Sequence, residues 1–225
     1  MQYFFTALGV CGTLLQVAVI YAMTRSELRR FIGIFFYLLV LFLTTVADMS
    51  IYLQYGGWPD WYRQYYFINN TIRHVSAFIA VLSLIFAATA GHPRRQAFRF
   101  KIVLATLAGV AAILFFSPGE TFPRYVNQVG RNLSFATALL NVVLWLSLIR
   151  SGLADRRLLF VSGGLGLNMA GQAIGQSMLE MGRSSWLGFF GNLIAIASHM
   201  VCLYIWWVAF RRLEVPRETA PAPLN

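Results

Sequence analysis

Charge is scarce in this chain, and so are the residues that usually cross-link or interrupt a fold. Only 12% of its 225 residues are charged while 58% are hydrophobic, and a mean hydropathy of +0.63 belongs to a chain solvated by lipid rather than water. Cys11 and Cys202 are its two cysteines. Both lie inside apolar segments, which argues against a disulfide framework or a thiolate metal site and for buried apolar thiols. Lys101 is the only lysine and stands at the start of an apolar run, so no amine is placed to carry covalently bound retinal. The seven prolines (Pro59, Pro93, Pro118, Pro123, Pro216, Pro221 and Pro223) fall outside the apolar runs. That lowers the expectation of the broken helices with which carriers form midplane sites. Glycine-rich phosphate loops, serine nucleophile elbows and CxxC pairs are missing, which leaves an intramembrane enzyme as the last of the functional readings. Asp48, His74 and His199 are zinc-ligand types, but the HxxxH or HExxH spacing that would mark a zinc site is lacking. The two histidines also differ in height by about five residues, roughly 7 Å, which disfavours a haem held between them.

What the chain has instead is seven apolar runs: Tyr3–Met23, Phe31–Gln54, Tyr66–Ala90, Ile102–Phe116, Leu133–Ile149, Leu158–Leu179 and Trp186–Phe210. Most are near the roughly 20 residues that a bilayer crossing requires, and the fourth is the shortest. Turn formers such as Gly56, Gly57 and Pro59, or Pro118, Gly119 and Pro123, separate them. This pattern predicts an all-α, polytopic seven-transmembrane-helix bundle over residues 1–212, with a Pro-rich flexible cytoplasmic tail over 213–225. The first run lacks a basic leader and a small-residue cleavage site, so it is expected to be retained as a helix.

The cations set an expected orientation. Arg25, Arg29, Arg30, Arg94, Arg95, Arg99, Lys101, Arg150, Arg156, Arg157, Arg211, Arg212 and Arg217 fall on one side; only Arg63, Arg124, Arg131 and Arg183 fall on the other. The positive-inside rule then puts the N-terminus outside and the C-terminus in the cytoplasm. Trp58, Trp61, Tyr62, Tyr65 and Tyr66 form an aromatic belt on the outer side. Because the basic residues come in short groups rather than one patch, nucleic acid is not expected as a partner. Arginine's near monopoly among them points to a GC-rich, bacterial genome, and the expected location is the cell membrane (inner or plasma).

Polar residues inside the runs are the candidate functional groups, because exposing them to hydrocarbon is costly. In the sixth run Asn168, Gln172, Gln176 and Glu180 recur every four residues. Each step overshoots a helical turn by roughly 40°, so they form one slowly winding stripe. Gly164, Gly171 and Gly175 border that stripe and offer a neighbouring helix a face for close approach. Asp48 lies about seven residues from the outer end of the second run and Arg73 about eight into the third, both roughly 10–12 Å deep. The two charges are therefore expected to pair. The expected ligand site occupies the outer half of the bundle and comprises Asp48, Asn69, Arg73, His74, Asn168, Gln172, Gln176, Asn192 and His199. Taken singly, each amide is better read as a hydrogen-bonded link between helices, and the Asp48–Arg73 pair serves as well to fix the packing of the second and third helices as to bind.

A short echo relates Tyr66, Phe67, Ile68 and Asn69 to Phe189, Phe190, Gly191 and Asn192. Helices one to three and five to seven would then form a 3+1+3 repeat joined by the fourth. That plan is similar to the arrangement of rhodopsin-like and sugar-carrier seven-helix proteins. The sequence thus predicts a receptor- or sensor-type binding protein without an output domain of its own. Its small-molecule ligand or apolar cofactor is unidentified, and a cytoplasmic or intramembrane protein partner would read Arg94, Arg95, Arg156 and Arg157. A small-solute transporter using the same residues, and an accessory subunit of a larger membrane complex, are the alternatives.

Overall fold

Apolar stretches of this length fold as helices in a bilayer because a helix satisfies each backbone N–H and C=O within its own segment. The structure is a computed structural model that describes residues 2–26, 28–57, 59, 61–89, 95–116, 122–150, 155–181 and 185–212. Among the described residues all regular structure is helical: α1 (Gln2–Thr24), α2 (Ile32–Tyr55), α3 (Tyr62–Ala88), α4 (Arg95–Phe116), α5 (Phe122–Arg150), α6 (Arg156–Met181) and α7 (Ser185–Arg212). Six of these are long and apolar enough to cross a membrane, over Ala7–Thr24, Ile32–Tyr55, Gln64–Ala88, Gln128–Leu146, Arg156–Gly175 and Trp186–Arg211. Helix α4, which contains the shortest apolar run, is not among them. The expected tail over 213–225 lies outside the described residues, as does Arg94.

Contacts between helix ends show which ends lie together. Arg30, just before α2, pairs with Asp155, just before α6, at 2.6 Å. The ring of Phe31 meets Phe210, near the end of α7, edge-on with centroids 5.3 Å apart. Arg99, near the start of α4, donates to the carbonyl of Phe86, near the end of α3, at 2.8 Å. At this end guanidinium groups lie over aromatic rings: Arg25 over Tyr21 at 4.7 Å, Arg99 over Phe86 at 5.5 Å and Arg211 over Trp207 at 4.8 Å. The basic end of the bundle thus collects the starts of α2, α4 and α6 and the finishes of α3 and α7.

The apolar core fills the half of the bundle next to that end. Val19, Met23, Phe31, Ile34, Leu38, Leu84, Leu158, Leu165, Leu203 and Trp206 are fully buried there. The Trp206 indole, which must find an acceptor once buried, donates to the Val161 carbonyl at 2.8 Å. Helices α6 and α7 approach most closely along the glycine edge anticipated from sequence. Gly164 lies under the Trp206 indole, Gly171 lies against Ser198, and a Cβ on Gly175 would sit 2.6 Å from the Gly191 carbonyl oxygen.

The Arg30–Asp155 pair is partly exposed, at 39% and 26%, and such pairs contribute little. Asp155 has a second role: its Oδ1 accepts the Arg157 backbone N–H at 2.9 Å, capping α6. Asp155→Asn, which can keep the cap, is expected to cost about 0.5 kcal/mol or less. Asp155→Ala is expected to cost about 1 kcal/mol more. Thermal denaturation of both variants in one detergent measures the difference, and equal losses would assign the effect to the ion pair alone.

Candidate functional site

On α2, Tyr37, Leu41, Thr44, Thr45 and Asp48 recur at helical spacing and turn one flank towards α3. Arg73 of α3 meets that flank. Its Nη2 donates to Asp48 Oδ2 at 2.6 Å and its Nε to Thr44 Oγ1 at 2.8 Å. Asn69 Nδ2 donates to the other Asp48 oxygen at 2.9 Å, and the Tyr62 hydroxyl hydrogen-bonds the same carboxylate. Burial, and then the Asp48 charge beside it, push the Tyr62 phenol above its ordinary pKa. Tyr62 therefore remains a protonated donor. The carboxylate receives three donors and the guanidinium is held at two nitrogens, which is what a half-buried charge pair needs if it is not to be a liability.

Helices α6 and α7 supply the facing wall. Asn168, only 2% exposed, donates from Nδ2 to the Tyr37 hydroxyl oxygen at 3.2 Å. Gln172 donates to the Ala195 carbonyl at 3.4 Å. His199 Nε2 lies 3.2 Å from Gln16 Nε2 of α1, the donor being set by the imidazole tautomer. Asn168 Oδ1 and Gln16 Oε1 are buried without a partner among the described residues. Turning either amide over would exchange the orphaned group rather than remove it.

Between these walls lies a cavity of about 150 Å³ lined by Tyr37, Leu41 and Thr45 of α2, Asn70, Arg73 and His74 of α3, Asn168, Met169 and Gln172 of α6, and His199 of α7. Tyr37, Leu41 and Met169 also belong to the apolar core, so the cavity rests on the core and lies towards the end opposite the basic one. Arg73 is the one charged side chain in the lining, and its carboxylate partner stands outside the lining. Asp48 thus matches the Arg73 charge from behind the lining, so the pair as a whole brings no net charge to the site.

Five residues expected in the site, Arg73, His74, Asn168, Gln172 and His199, line the cavity together. Asp48 and Asn69 do not line it; they hold Arg73 from outside the lining. Asn192 departs from expectation, being exposed and outside the lining. Its neighbour Gly191 is the residue that α7 presses onto Gly175, and one step along a helix turns the next side chain about 100° away. The side chain of Gln176 lies outside the described residues. The rise argument separated His74 and His199 in height, yet the cavity reaches both. Sequence reasoning missed Tyr37 and Thr45, although their four-residue spacing with Leu41 was visible, and Gln16, a lone amide in the first run that is 2% exposed.

Comparison of the chain with protein-family models, with curated proteins and with solved structures returned no match. The site's chemistry therefore has to be read from its own geometry.

Proposed function

We propose that this is a seven-span binding protein of the cell membrane, of receptor or sensor type, that takes a small molecule in the cavity between α2, α3, α6 and α7. The carrying observation is the convergence of polar side chains from four separate helices on one cavity above an apolar core. Amides that served only to link helices would pair with one another and leave no such space.

Chain connectivity supports α4 as the seventh span. It starts at the basic end, where Arg99 meets Phe86, and α5 must finish near that end to reach α6. Five residues, 117–121, join α4 to α5, so α4 has to traverse the bundle, and its 22 residues give about 33 Å at 1.5 Å each. The cation count agrees. With α4 spanning, thirteen cations fall inside and four outside; without it the later groups change sides and the split falls to ten against seven. The biased arrangement is the one that membrane insertion favours, with the basic end cytoplasmic and the cavity in the outer half.

Native mass spectrometry of gently extracted protein is expected to find one small molecule bound per chain. Asn168→Leu and Gln172→Leu should each release it and remove its contribution to thermal stability, which is about 2.7 kcal/mol at a hundredfold excess over Kd. Protein that is free of any small molecule, with stability indifferent to both substitutions, would end the binding-protein reading. Saturable solute uptake by proteoliposomes would make the same cavity that of a carrier.

A further inference from the structure

We infer that the cavity selects an uncharged, hydrogen-bonding ligand of about the size of one six-membered ring. The inference rests on the reading of the cavity as a ligand site and adds the ligand's class. Size follows from volume: the cavity holds about 150 Å³, which is room for one six-membered ring, and that ring is the part of a guest that its walls enclose. Charge follows from the fixed pair. Asp48 is held by Arg73, Asn69 and Tyr62, and Arg73 by Asp48 and Thr44. Neither group is free to turn towards a charged guest, so an anion or a cation would bring an unmatched charge into a site whose fixed charges already match each other. Polarity follows from the lining, to which Asn70, Asn168 and Gln172 contribute amides and His74 and His199 imidazoles. A guest carrying both a donor and an acceptor can meet such groups whichever way each amide lies.

Benzamide, benzoate and benzamidinium test this directly, because the three are nearly isosteric and differ in charge. Isothermal titration of the full chain in detergent micelles, with Asn168→Leu as the background for partition into detergent, measures each. Benzamide is expected to bind wild type in an Asn168-dependent way and at least about tenfold more tightly than either ion. In Asp48→Asn the guanidinium loses its match, and benzoate is expected to overtake benzamide. Should that variant fail to fold, Thr45→Asp adds a carboxylate to the lining and is expected to favour benzamidinium instead. Wild type that binds benzoate or benzamidinium as tightly as benzamide would overturn the selection for neutral guests while leaving a ligand site. Absence of Asn168-dependent binding of all three probes, in wild type and in the charge variants, would overturn this inference; the binding-protein reading falls with it only if native mass spectrometry also finds the extracted protein free of any small molecule.

Discussion

Replacing Gly175 by leucine is expected to prevent α6 and α7 from closing on each other, at a cost of about 3 kcal/mol or more. The first added carbon would already sit 2.6 Å from the Gly191 carbonyl oxygen and 3.0 Å from Ala195 Cβ. A backbone oxygen cannot rotate away as a side chain end can, so the helices themselves must separate. Gly171→Leu is expected to behave the same way, because there the obstacle is Ser198 down to its Cβ. Separation of the two helices would break the Gln172 bond to the Ala195 carbonyl and move His199 away from Asn168, so the cavity wall would be lost with the packing. Gly109→Leu in α4 is the control, since nothing lies within 4 Å of its added Cβ. Size-exclusion profiles and thermal denaturation of the three variants measure the effect. A folded, monodisperse Gly175→Leu protein, or a Gly109→Leu protein damaged equally, would show that the close approach of α6 and α7 is not what holds this half of the bundle.

The contrast between those glycines bears on what a sequence can disclose. The glycine edge of α6 was legible because it repeats at helical spacing beside a polar stripe, and both patterns are local to one helix. The Asp48 and Arg73 encounter was legible for a different reason: the bilayer gives every helix a common axis, so counting residues from the ends places two charges at one depth. Rotation about that axis has no such ruler. Asn192 has the right depth and residue type, yet the Gly191 contact turns it out of the site. Conversely, Tyr37 has the look of an ordinary apolar-run aromatic and becomes a site residue only through Asn168, 131 positions away. His74 and His199 show the same limit, since a cavity has extent and can reach residues that residue counting separates.

Asp48→Asn is expected to destabilise the fold by about 3 kcal/mol, the low end for breaking a buried ion pair by removing one partner, because this pair is half-buried. Arg73→Gln is expected to cost less, about 2–3 kcal/mol, and the asymmetry comes from what each survivor retains. Without Arg73, the carboxylate still accepts from Asn69 and Tyr62. Without the Asp48 charge, the guanidinium keeps only neutral acceptors, Thr44 and the amide oxygen of the substituted side chain, and its charge stands uncompensated beside the cavity. The double variant Asp48→Asn with Arg73→Gln should lose less than the two single losses added, because the second change removes the charge that the first left stranded; a coupling of about 1–3 kcal/mol is expected. Arg156→Gln, an exposed cation at the basic end, should change stability by no more than about 0.5 kcal/mol. Denaturation of the four proteins in one detergent closes the cycle. Additive losses, or an Arg73→Gln protein weaker than Asp48→Asn, would mean that the two charges act separately and that the donors around Asp48 do not sustain it alone; the charge balance of the site would then lose its physical basis, because that balance depends on the pair being held as a unit.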